Sequence, residues 1–148
     1  MKKYIIGSVV LLLFTVITVF AQKLPEVYST DAGAIQGYDP VAFFKESKPV
    51  MGSEEFSYSW NDATWHFSTQ ENLELFKANP ETYAPQYGGY CAFGTASGHK
   101  ATTQPETWTI VNKKLYFNYN TNVQKLWNKN QKGLIDQADK KWPTVRKE

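Results

Sequence analysis

The sequence predicts a small α+β domain in which two antiparallel β-hairpins pack against several short helices, the last two at the C-terminus. Three observations predict this class. Two segments alternate apolar and polar residues around the turn dipeptides Asn61-Asp62 and Asn112-Lys113. Helical periodicity occupies other stretches and does not alternate regularly with the strands, which argues against a parallel sheet. Nine Phe, nine Tyr and five Trp supply a large buried area per side chain, while the single cysteine cannot form an internal disulfide.

Residues 1–21, "MKKYIIGSVVLLLFTVITVFA", have the organisation of a secretory signal. Lys2 and Lys3 precede an apolar stretch from Ile5 to Phe20, and Val19 and Ala21 provide the small residues that set cleavage after Ala21. The mature chain is then expected to be exported, periplasmic or extracellular, with no stable membrane span. Without Lys2 and Lys3, 14 Lys+Arg face 14 Asp+Glu, so the mature chain is formally neutral. That balance lacks the basic footprint of a nucleic-acid binder.

Residues 22–32 form a polar lead-in, residues 33–143 the domain, and residues 144–148 a C-terminal tail. Within the domain, residues 34–36 suit a short strand. Asp39 is a good N-cap, with Pro40 at the first position of a helical turn that runs to Phe44. A loop, "KESKPVMG", leads to the first hairpin at 56–67. There Phe56, Tyr58 and Trp60 alternate with serines, and Thr64, Trp65 and Phe67 return. Ser68 with Glu71 makes a capping box for a helix carrying Leu73, Phe76 and Lys77, which must end before Pro80. Pro80 and Pro85 bracket a turn containing Tyr83.

"QYGGYCAFGTASGHK" (86–100) contains Cys91. Gly88-Gly89 turn the chain into a short helix over Tyr90–Ser97, which Gly98 closes. The second hairpin spans 107–119, with Trp108, Ile110, Leu115 and Phe117 on its inner face. A helix follows from about Asn122 to Lys129, with Val123, Leu126 and Trp127 on one face. Another runs from about Leu134 to Lys141, with Leu134, Ile135 and Ala138 inward, until Pro143 stops it.

Taken together, "GYDPVAFF", "ATWHFSTQENLELFKANPETYAPQYGGYCAFG", "PETWTIVNKKLYFNYN" and "ADKKWP" resemble the YHS domain family over nearly the whole mature chain. The most specific signal is F-x-x-(N/D)-P-x-x-Y, present as Phe76, Asn79, Pro80 and Tyr83. The resemblance is closest to the exported single-domain branch, in which some relatives carry selenocysteine where Cys91 stands. It implies a copper-type metal role, but the thiols of the metal-type members, C-P-V-C-G-M and F-C-S-x-x-C, are missing. "YDPVAFF" and "HFSTQEN" stand in their place, with Ser68 and Asn72 near the expected thiol positions.

Cys91 is the candidate redox thiol. In the first turn of a helix, free N–H groups and the helix dipole lower a thiol pKa. Burial as a small apolar residue is the competing expectation. With His66 or His99 as a second ligand or base, and Met51 as a further soft donor, Cys91 could hold a copper or zinc ion. His66 lies between Trp65 and Phe67 and points away from both; His99 follows Gly98. Tyr83, Tyr87 and Tyr90 either pack the core or wall a pocket for a small ligand. A Cys-His hydrolase lacks a third orienting group, and "GTASGHK" lacks the spacing of a phosphate loop. The expected partners are therefore a metal ion or a small ligand, and an exposed Cys91 would also give a disulfide-linked dimer. The alternative is a non-catalytic protein- or ligand-binding module in which Cys91 is structural.

Overall fold

The first strands come earlier in the chain than the sequence predicts. In the computed structural model, which describes Thr18 and residues 22–148, Ser29–Thr30 (β1) pairs antiparallel with Gly33–Ala34 (β2). The strand expected over 34–36 ends at Ala34. Ile35 and Gln36 take positive φ angles of 44° and 60°, which turn the chain out of the extended conformation. Residues 22–32 are integral to the domain. Val27 is buried in the core, and the Tyr28 N–H donates to the Gly88 carbonyl at 2.8 Å. The leader and cleavage site expected over residues 1–21 lie, apart from Thr18, outside the described residues. Among the described residues, no helix is long and apolar enough to cross a membrane.

Asp39 caps Pro40–Lys45 (α1) as expected, its Oδ1 accepting from the N–H groups of Val41 and Ala42. The first hairpin joins Ser53–Trp60 (β3) to Ala63–Phe67 (β4), with a bulge between Ser53 and Ser57. Ala63, Trp65 and Phe67 face the core, while Thr64 and His66 point the other way, following the two-residue period of a strand. Thr69, not Ser68, caps Gln70–Ala78 (α2), its Oγ1 accepting from Asn72 N–H at 3.1 Å. Ser68 is already engaged with Asp39, and Glu71 pairs with Lys45 at 2.7 Å instead of closing a capping box. Pro80–Tyr83 (α3) is a single helical turn between the two prolines.

Ala92–Ala96 (α4) follows the glycine turn, and Gly98, with φ +93°, terminates it. The second hairpin pairs Thr109–Val111 (β5) with Lys114–Tyr116 (β6). Thr121–Asn128 (α5) and Gln131–Val145 (α6) are capped by Asn120 and Asn130. Trp127 of α5 is buried, but Leu126, expected beside it, is exposed. Val123 and Trp127, four residues apart, define the inward stripe of α5, and Leu126 falls off it. Pro143 does not stop α6. It sits in the last turns, and the Trp142 carbonyl still receives the Arg146 N–H at 2.8 Å. The expected tail therefore continues α6 and buries Val145.

Strand β6 divides two cores. Leu115 and, just beyond the strand, Phe117 join the larger core, which holds Phe43, Trp65, Phe67 and Phe76. Tyr116, facing the other way, joins Tyr87, Ala92, Trp127 and Ala138. Phe76 is the hub of the larger core, with ring centroids of Tyr58, Trp60, Trp65 and Phe67 at 5.1–6.3 Å. Each such buried aromatic stabilises the fold by about 1.5–3 kcal/mol.

Candidate functional site

The chain reaches Cys91 through a left-handed turn. Tyr87, Gly88 and Gly89 have φ angles of 57°, 63° and 84°. A Cβ on Gly88 would collide with the Glu26 carbonyl oxygen, so this close approach requires glycine. The turn delivers Cys91 to the N-cap of α4, one position before the helical first turn expected from the sequence. Its backbone is fixed on both sides: Cys91 N–H donates to Ala101 O at 3.0 Å, and Ala92 N–H to Phe117 O at 2.9 Å.

The thiol behaves like a serine cap. Sγ accepts from Gly94 N–H at 3.4 Å and from Tyr119 N–H at 3.3 Å, and donates to Asn118 Oδ1 at 3.6 Å. Asn118 is itself buried and is held by the Phe93 N–H on the same Oδ1, at 3.2 Å. Its Nδ2 makes no hydrogen bond among the described residues. Cys91 is 2 % exposed. Burial pushes its pKa up, against the opposing pull of the Gly94, Tyr119 and Phe93 N–H groups. The low-pKa thiolate expected from the helix start is thus corrected: desolvation outweighs the N-terminal donors, leaving a neutral thiol.

Neither histidine is hydrogen-bonded to Cys91 among the described residues. His99 is exposed and folds back over Gly94, where a Cβ would lie 3.4 Å from its Nε2. His66 projects from β4 toward the β1–β2 hairpin, its ring against Gly33. Met51 is 55 % exposed and lies beside Tyr38. Among the described residues, no three His, Cys, Asp or Glu side chains gather in a way that could hold a metal ion. A copper or zinc ion needs several converging soft or borderline donors, and this donor set does not fit one.

Asp39 does more than cap α1. Its carboxylate, fully buried, also takes Ser68 N–H at 2.8 Å, Ser68 Oγ at 2.7 Å and Asn72 Nδ2 at 2.7 Å on Oδ2. Ser68 and Asn72 were expected near the thiol positions of metal-type YHS members. Here they form a satisfied hydrogen-bond cluster, with five donors on one carboxylate.

The outer side of the glycine turn borders a cleft of about 430 Å³, between the tip of the first hairpin and the end of α6. Trp60 and Trp142 line it, with Trp65 and Tyr87 set deeper. The walls are braced. Trp65 Nε1 donates to Trp60 O at 3.0 Å, Tyr87 packs on Trp142 at 5.9 Å between centroids, and the Tyr87 hydroxyl donates to Asp139 at 2.8 Å. Glu26, Glu81 and Asp139 border the cleft with Lys114 as the only cation among its lining residues. The sequence signalled Tyr87 as a wall, but not Trp60 and Trp142, which lie more than 80 residues apart in the chain. No family model matches the chain, and neither a curated protein nor a solved structure matches it at a significant level.

Proposed function

We propose that the chain is an exported, YHS-like, non-catalytic module that binds a small ligand and in which Cys91 is structural. The observation that carries this reading is the setting of Cys91: the residue is 2 % exposed and each of the hydrogen-bonding roles of its sulfur is filled. A nucleophile or metal ligand needs access and thiolate character, and burial opposes both. The cleft beside Tyr87 has the volume of a small-molecule site and aromatic walls, which suits the binding role. Export rests on the leader sequence.

The test is thiol reactivity at neutral pH with a coloured disulfide reagent, alongside Cu(I) and Zn(II) titrations of wild type and Cys91→Ser. The expected result is a thiol that reacts only on unfolding, no metal binding that depends on Cys91, and a monomer on non-reducing gels. Rapid reaction of the folded protein, stoichiometric Cys91-dependent metal binding, or a reductant-sensitive dimer would overturn it. A second reading, thiol redox at Cys91, draws on the backbone N–H groups of Gly94 and Tyr119 at its sulfur, which would steady a thiolate. It predicts the opposite outcome in the same assay.

A further inference from the structure

We propose that the cleft between Trp60 and Trp142 binds a small organic cation, an ammonium-bearing molecule with an apolar body. This rests on the reading of the chain as a ligand-binding module and names the class of ligand. Two features of the cleft select that class. Two partly exposed indoles, Trp60 and Trp142, stand in its walls, and indoles are the strongest side-chain partners for a cation over a π face. Its border carries three carboxylates, Glu26, Glu81 and Asp139, against the ammonium of Lys114 and the Arg146 guanidinium beside Glu26, which leaves one negative charge in excess.

The carboxylates are only partly committed. Asp139 receives the Tyr87 hydroxyl. Glu26 stands 3.9 Å from the Arg146 guanidinium, beyond a direct hydrogen bond. Glu81 makes no ion pair or side-chain hydrogen bond among the described residues and is exposed at the mouth. An anionic ligand would meet this unbalanced negative charge. A neutral sugar could stack on the same rings and donate hydroxyls to the carboxylates, but it would leave their charge uncompensated.

The floor is preformed. The left-handed backbone of Tyr87 and Gly88 is locked against Glu26 and the Tyr28 N–H, so little ordering remains to be done on binding. The cleft is also separate from Cys91, which points into the protein on the other side of the same turn. The "QYGGYC" segment therefore supplies a binding floor with Tyr87 and Gly88, and a structural cap with Cys91.

The experiment is calorimetric titration of the full mature chain with phenyltrimethylammonium and choline. Dimethylbutanol, in which a tert-butyl group replaces the trimethylammonium of choline, is the neutral control. Saturable binding of the cations is expected, with dimethylbutanol weaker than choline by about fivefold or more. Glu81→Gln, an exposed and conservative change, should weaken the cations about twofold to fivefold and leave dimethylbutanol unaffected. Trp142→Ala should abolish binding; Glu81→Gln keeps the test decisive if Trp142→Ala does not fold. Equal affinity for choline and dimethylbutanol overturns the cation and leaves the ligand-binding module standing. No saturable binding of either cation overturns the proposal, and a reactive Cys91 beside it overturns the module reading as well.

Discussion

At the scale of single residues, Cys91 is decided by competition between two local effects. The N-cap position offers donors to sulfur and favours a thiolate; enclosure among Asn118, Tyr119 and α4 disfavours any charge. Enclosure wins, and the useful property of the thiol becomes its capacity to accept two backbone N–H groups while donating one proton. This makes a mutational prediction. Cys91→Ser keeps a capping acceptor and should lie within about 1 kcal/mol of wild type in urea unfolding. Cys91→Ala leaves the Gly94 and Tyr119 N–H groups without their side-chain acceptor in a buried site and should cost about 2–3 kcal/mol. Equal stability of Cys91→Ala and wild type would remove the structural role. The helix start and the glycine turn were legible in the sequence because glycine and capping signals are local. The sign of the pKa shift was not, because it is set by burial, and the chain that encloses Cys91 includes Phe117–Tyr119, far from it in sequence.

At the scale of elements, the Asp39 carboxylate ties the start of α1 to the end of β4 and the first turn of α2. Five donors reach one buried side chain, so losing it strands several groups together. Asp39→Ala should cost about 3–5 kcal/mol, a large share of the stability of a domain this size. Asp39→Asn should lie between it and wild type, since the amide keeps one acceptor but turns donors toward Ser68 and Asn72. Urea midpoints of the two variants check this, and a loss under about 1 kcal/mol for Asp39→Ala would refute the bridging role. The hairpins and most helices were readable because alternation, turn dipeptides and caps act within a few residues. The misread boundaries share one cause. Ser68 is drawn from its capping role by Asp39, Leu126 is left outside by the way α5 packs, and Pro143 is carried past its usual stopping effect by the packing that buries Val145. Each is a tertiary contact overriding a local preference.

At the scale of the whole molecule, three buried tyrosines, Tyr87, Tyr90 and Tyr116, make stability depend on alkaline pH. Tyr90 and Tyr116 are pushed up to about 12, mainly by burial, with Tyr28 acting on the first and Asp139 on the second. Tyr87 is raised further, by burial first and then by its hydrogen bond to Asp139 and the charge of that carboxylate. In the unfolded chain these groups ionise near the ordinary value of 10.0. Between that pH and about 12 the unfolded chain releases protons that the folded protein retains, so unfolding is favoured as pH rises. The tyrosine contribution is therefore complete below about pH 10 and drains away above it, with buried Cys91 adding a smaller loss that begins nearer 9. Unfolding free energy measured by urea at stepped pH should hold roughly level on this account to the upper 8s and then fall. Tyr87→Phe separates this from generic alkaline damage. At neutral pH it should cost about 1 kcal/mol for the lost bond to Asp139. Above pH 10 its decline should be shallower than wild type by about one proton in the linkage slope. An unchanged slope would mean that the Tyr87 hydroxyl is open to solvent, and with it the floor on which the cleft is built.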